Sequence, residues 1–200
     1  MNNISLLKWD HQKTNHICKC AVALGSNLGN SLSILEGALS ELSHISGIIV
    51  KSHSSWYKTK AVGPSQPDYF NACAVLEVEI APRLLLNKLF FIENQFGRER
   101  QERWGPRTLD LDLLLYEDLI LDTPTLQIPH PRMSDRSFVL VPLAEIAPNW
   151  IEPISGCRIQ YLLHNVECDD VHLVKMVKNK GECNISTRKK GRDINLLIHK

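Results

Sequence analysis

Residues 109–116 constrain this chain most. They run Leu109, Asp110, Leu111, Asp112, Leu113, Leu114, Leu115 and Tyr116, and alternation of apolar with acidic side chains marks a strand with one buried face. Side chains of a strand point alternately to its two sides. Leu109, Leu111 and Leu113 therefore turn toward a core, while Asp110 and Asp112 share the opposite face. Such a strand needs neighbours to pair with and a layer to cover its apolar side.

The chain supplies both. Residues 17–24 are apolar and small and end at Gly25-Ser26-Asn27, which predicts a buried strand and a turn. Leu32, Leu35, Leu39, Leu42 and Ile45 recur at helical spacing until Gly47. Residues 48–57 predict a second strand, residues 58–68 a loop rich in Gly and Pro, and residues 69–80 a third strand. Pro82 opens a second helix, with Leu85, Leu89, Ile92 and Phe96 on its apolar face. A basic loop over residues 97–108 leads into the acidic strand, and an extended piece near residues 126–128 follows. Ser137 is placed to cap a third helix running to Ile146, and a last short helix is predicted near residues 159–164. The order β-α-β-β-α-β with an α-rich end predicts an α+β fold: a single ferredoxin-like domain, its antiparallel sheet carrying helices on one face.

Composition narrows the class. The 200 residues are enough for one domain with a core, and a net charge of +1 gives no field of the kind that marks a nucleic-acid binder. The six cysteines have no paired CxxC spacing, which suits free core thiols in a reducing compartment. Cys18 and Cys20 are expected to share one face of the first strand. No apolar run is long enough to span a membrane, and Asp10 and His11 interrupt the N-terminus where a secretory signal needs apolar residues. The expectation is a cytoplasmic protein with residues 1–16 as an N-terminal extension, 17–168 as the domain, and 169–200 as a basic, flexible and dispensable tail.

The two aspartates carry the chemistry. Their Cα atoms lie about 7 Å apart, twice the strand rise, and side chains so placed can converge on a pair of Mg²⁺ or Mn²⁺ ions. A bare pair of this spacing more often marks only a half-exposed strand. Arg98, Arg100, Arg103 and Arg107 in the preceding loop shift the reading toward phosphate, because guanidinium forks match phosphate oxygens. His130, between two prolines, can hydrogen-bond a phosphate or be incidental. Tyr69, Asn71 and Phe138 suit a pocket for a flat heterocycle, though composition alone also fits core or turn positions. No P-loop, dinucleotide or protein-kinase motif is present.

The stretch Arg103-Trp104-Gly105-Pro106-Arg107-Thr108-Leu109-Asp110-Leu111-Asp112 resembles the signature of the 6-hydroxymethyl-7,8-dihydropterin pyrophosphokinase family. Further pieces agree in order: residues 23–29, 57–59 with 63–64 and 66–72, 92–93 with 97–98, and 128–131 with 136–140 and 142–143. The resemblance implies transfer of the diphosphate of ATP to the pterin hydroxymethyl group in folate synthesis, with AMP leaving. It implies that Asp110 and Asp112 bind two Mg²⁺ ions, and that Arg98, Arg107 and His130 are the catalytic groups. Arg136, together with Glu93, Trp104 and Leu113, belongs to the ATP side, and Trp104 sits on a closing loop. Asn71 reads the pterin edge, Tyr69 and Phe138 line its faces, and Thr59 and Val62 offer backbone groups. Phe90 and Pro131 stand where members often carry a polar residue and an aromatic. The implied partners are ATP and the reduced pterin, acted on by a monomer. Ferredoxin-like sheets also bind single-stranded RNA through exposed aromatics; here that aromatic run is missing, and no nucleic-acid or membrane partner is expected.

Overall fold

The computed structural model describes residues 13–61, 65–98, 105–178 and 183–187. Its core is the βαββαβ unit expected. Strand β1 (Lys13–Ser26) pairs antiparallel with both β4 (Tyr69–Ile80) and β5 (Asp110–Tyr116). The far edge of β4 takes two short strands in succession, β2 (Ile48–His53) and β3 (Tyr57–Thr59). The sequence read residues 48–57 as one strand. The break lies at Ser54, whose amide reaches the carbonyl of Cys73 (2.9 Å) and whose hydroxyl accepts from the Cys73 amide (3.0 Å). A side chain that takes over a ladder bond lets the strand kink without orphaning the backbone.

Helices α1 (Ser31–His44) and α2 (Pro82–Gln95) cover one face of the sheet. There Cys18, Cys20, Val22 and Leu24 of β1 interlock with Leu35, Leu42, Leu85 and Leu89. Cys18 and Cys20 do share a face. The opposite face is covered as well, which corrects the one-sided arrangement expected. Helices α3 (Ser137–Ile146) and α4 (Ile159–His164) bury Ala21, Cys73, Val75 and Leu114 beneath Val139, Leu140, Leu143 and Ile159. Ser137 is the first residue of α3 rather than its cap; Arg136 holds the cap position with no side-chain capping bond.

Three other boundaries move. Strand β1 begins at Lys13, so the N-terminal extension ends before it; residues 1–12 lie outside the described residues. The piece near residues 126–128 is one arm of a hairpin, β6 (Leu121–Thr123) with β7 (Leu126–Ile128). The basic tail is partly sheet: β8 (Val171–Lys178) pairs with β3 and with β9 (Cys183–Thr187). The main sheet thus reads β5-β1-β4-β3-β8-β9, with β2 also on β4. No described helix is long and apolar enough to cross a membrane.

Candidate active site

The α3/α4 layer covers only part of its face, and the uncovered part is the site. Register puts Tyr57, Asn71, Gly25 and Asp110 in one row across β3, β4, β1 and β5, with Asp112 opposite Ala23 two residues along. The missing side chain at Gly25 keeps the floor of this row open. A Cβ there would lie 3.2 Å from Asn71 Oδ1 and 3.7 Å from the Tyr69 ring. Above the row is a cavity of about 900 Å³ lined by Asn71, Tyr69, Phe138, Arg107, Asp110 and Asp112, among others.

A bulge aims the acidic pair. Ala21 faces Leu115 but Val22 faces Leu113, so Leu114 is an extra residue in β5. Leu111 and Leu113 stay in one core and Leu114 enters the other, while Asp110 and Asp112 remain on the open face. The carbonyl of Leu114 accepts from the His130 amide (2.8 Å), which fastens the segment after the cis Ile128–Pro129 peptide against the aspartates. His130 Nδ1 in turn accepts from the Arg132 amide (3.2 Å). The ring proton therefore sits on Nε2, which lies 3.8 Å from Asp112 Oδ2. Burial lowers the His130 pKa and Arg136 and Arg132 reinforce this, against the pull of Asp112. Asp112 is raised by burial first and then by the neighbouring Asp110.

Asp110 is gripped from outside. Its Oδ2 lies 2.7 Å from Arg107 Nη1 and its Oδ1 2.7 Å from Arg98 Nη2. Each carboxylate oxygen of Asp110 thus faces one guanidinium. Burial opposes charge on Arg107, but the Asp110 carboxylate outweighs it and raises the guanidinium pKa. Arg98 also pairs with Glu93 of α2. Glu93 is 1 % exposed and accepts from the Leu111 amide, so it sits beneath the site and lines neither cavity described here. Arg136 Nη1 lies 3.9 Å from Asp112 Oδ2, and its guanidinium stands over the Phe138 ring.

On the other side, Asn71 donates to Thr59 Oγ1 (2.8 Å), leaving its Oδ1 toward Gly25 and the cavity. Tyr69 donates to the Gly105 carbonyl (3.4 Å), and burial raises its pKa. Asn27 ties the two loops of the cleft together. It accepts from the Arg107 amide at Oδ1 (2.7 Å) and donates to Gln66 Oε1 and the Pro67 carbonyl, each at 3.0 Å. Sequence reading placed Gly25 and Asn27 in a turn and gave them no part in the site, since their partners lie far along the chain. Val62, Trp104, Arg100 and Arg103 lie outside the described residues.

A second cavity of about 680 Å³ adjoins the first. Leu86, Phe90, Leu113, Leu126 and Pro131 give it apolar walls, and it shares Arg98, Asp112 and His130 with the first. Leu113 is thus a wall of this second cavity as well as core. The two cavities meet at the charged groups.

Residues 21–148, which include every site residue named above, match the model of the 7,8-dihydro-6-hydroxymethylpterin-pyrophosphokinase (HPPK) family. The chain belongs to this family. A 2-amino-4-hydroxy-6-hydroxymethyldihydropteridine pyrophosphokinase of Synechocystis sp. is 53 % identical over 150 residues, 75 % of this chain and 77 % of that protein. One from Haemophilus influenzae is 49 % identical over 135 residues, 67 % of this chain and 84 % of that protein. The fold also matches solved HPPK-DHPS chains of Plasmodium falciparum. The wild type with pteroate superposes with a TM-score of 0.67 at 12 % identity over 88 % of this chain, which spans 48 % of that longer chain. As an HPPK, the chain is an ATP-dependent diphosphotransferase of folate biosynthesis.

Proposed function

We propose that the paired cavities are the site where this chain moves the diphosphate of ATP onto the hydroxymethyl oxygen of 6-hydroxymethyl-7,8-dihydropterin. The observation that carries the reading is that two cavities of different lining share one charged seam at Arg98, Asp112 and His130. The first, with Asn71 and two aromatic rings, suits the flat pterin; the second, which combines apolar Leu86, Phe90 and Leu126 with polar Asp122, Thr123 and Gln127, suits the nucleoside. The triphosphate then runs along the seam.

Asp110 and Asp112 are the proposed ligands of two Mg²⁺ ions. Hard carboxylate oxygens suit that metal, and both carboxylates line the cavity. When bound, the metal neutralises phosphate charge and lowers the pKa of a coordinated hydroxyl. Asn71 presents Oδ1 to the N–H groups of the pterin edge, while Tyr69 and Phe138 hold its faces. Arg98 and Arg107 hold the triphosphate and stabilise charge that develops as the Pα–O–Pβ bridge breaks. The hydroxymethyl oxygen attacks Pβ in line, and the bridging oxygen departs with AMP. His130 donates from Nε2 to a phosphate oxygen, a role that requires only the neutral ring. Arg136 contacts the same phosphates, and Glu93 acts through Arg98.

The working unit proposed runs from Lys13 through β8, acting as a monomer because one chain supplies every group named. The proposed location is the cytoplasm, which suits unpaired Cys18, Cys20, Cys73, Cys157 and Cys168. A magnesium titration tests the metal count. With ATP already saturated by Mg²⁺, the rate should keep rising with further Mg²⁺; a rate independent of added Mg²⁺ contradicts two ions.

A further inference from the structure

The pterin side of the cleft rests on a very short strand. β3 has 3 residues, Tyr57–Thr59, and its last residue places the hydroxyl that fixes the Asn71 amide. Thr59 and Asn71 are 5 % and 6 % exposed, so their bond is set by backbone position and not by solvent. One edge of β3 is held by β4 through Tyr57–Asn71 and Thr59–Tyr69. Left with that edge alone, a strand this short would be the fraying rim of the sheet.

The other edge is held by β8, beyond the span that matches the HPPK family model. Val171 pairs with Thr59, His172 with Lys58 and Leu173 with Tyr57. The Val174 amide donates to the Trp56 carbonyl at 2.8 Å, and the Val174 side chain, 5 % exposed, joins the buried cluster that also holds Trp56. β8 is therefore anchored at its own buried residue and clamps β3 along its full length. The exposed Lys60–Asp170 pair (3.7 Å) stands at the same end and adds little.

We infer that β8 is a positioning element of the pterin subsite: by holding Thr59 in register it preorganises the Asn71 acceptor, and so tunes pterin affinity and not nucleotide affinity. This replaces the expectation of a dispensable tail, and it rests on the reading of Asn71 as the pterin-edge group. No residue of β8 lines either cavity. Its effect passes through one hydroxyl and one amide, and groups held in place before binding spare the complex an ordering cost.

The test compares the full chain with a chain ending at Asp170, with Val174→Pro, which removes the donor to Trp56, and with Asn71→Ala. Affinity for the pterin is measured with a non-hydrolysable ATP analogue present, and affinity for the analogue is measured alone, well below each melting temperature. The inference predicts pterin binding weakened about tenfold or more in the truncated chain and in Val174→Pro, with analogue binding changed less than about twofold. Unchanged pterin affinity in either folded variant, or equal loss for both ligands, overturns it. If Asn71→Ala itself leaves pterin affinity intact, the reading of the subsite fails instead. The wild-type chain gives an independent check, since coupling is reciprocal: saturating pterin should slow amide hydrogen exchange at residues 171–174, and unaltered exchange there overturns the inference even if the variants do not fold.

Discussion

Glu93 of α2 accepts a hydrogen bond of 2.7 Å from the backbone amide of Leu111, the residue between the two aspartates. The same carboxylate pairs with Arg98, which reaches Asp110. One buried acid thus fixes both the acidic strand and a guanidinium that serves the cleft. Burial raises the Glu93 pKa, and the Leu111 amide and Arg98 pull against that rise without cancelling it. Glu93→Ala leaves the Arg98 charge short of a buried partner and should cost about 3 kcal/mol of stability. Glu93→Gln keeps an acceptor for Leu111 and should fold better while losing turnover. Denaturant titration with kinetics on both variants checks this, and equal stability of the two would contradict it.

Asp112 is shifted in the same direction as Glu93. Its pKa is raised above the ordinary value by burial and by Asp110, so the folded protein binds its proton more tightly than the unfolded chain does. Such an acid burdens the native state at pH above its folded pKa, and the burden is relieved as pH falls. Asp112→Asn should therefore melt at an equal or higher temperature than wild type at neutral pH, while losing more than about 10²-fold in activity, the upper range for losing a group that only supports a metal ligand. A clear drop in melting temperature would contradict the assignment.

Gly25 keeps the floor of the proposed pterin subsite open by lacking a side chain. Gly25→Ala brings a methyl within 3.2 Å of Asn71 Oδ1, and the amide must give way. The expected result is a rise in KM for the pterin of about tenfold, with KM for ATP little changed. Equal effects on both substrates would contradict this placement of the two subsites.

Glu152 offers a pH test away from the chemistry. Its carboxylate accepts from the Ile154 amide (2.9 Å) and the Ser155 amide (2.7 Å). Burial alone would raise its pKa, but these bonds outweigh it and hold the value below the usual carboxylate range. A depressed folded pKa contributes stability above the unfolded value, lost as pH falls through the folded one. Glu152→Gln should cost about 1–2 kcal/mol at pH 7, and the gap to wild type should close as pH drops below about 4. A gap constant with pH would contradict it.

Much of this fold was legible in the sequence because strands and helices here obey their periods. The alternation of residues 109–116 put Asp110 and Asp112 on one face, and β5 carries them so. What stayed hidden depends on contacts remote in sequence. The extra residue Leu114 that aims the pair shows only against β1. The Ser54 break needs the Cys73 backbone of β4. Glu93 follows Ile92 on an amphipathic helix, and nothing local distinguishes a solvated acid from a buried one. β8 was read as solvated because its apolar residues sit beside a long basic run, although Val174 has a buried place waiting.

The account turns on the acidic pair as the metal-binding centre of diphosphate transfer. The most direct measurement is nucleotide product analysis with ATP, Mg²⁺ and 6-hydroxymethyl-7,8-dihydropterin, on wild type, Asp110→Ala and Asp112→Ala. The account predicts pterin-dependent AMP from wild type and its loss in both variants while circular dichroism shows them folded. ADP as the product, or AMP formed undiminished by either variant, would contradict it.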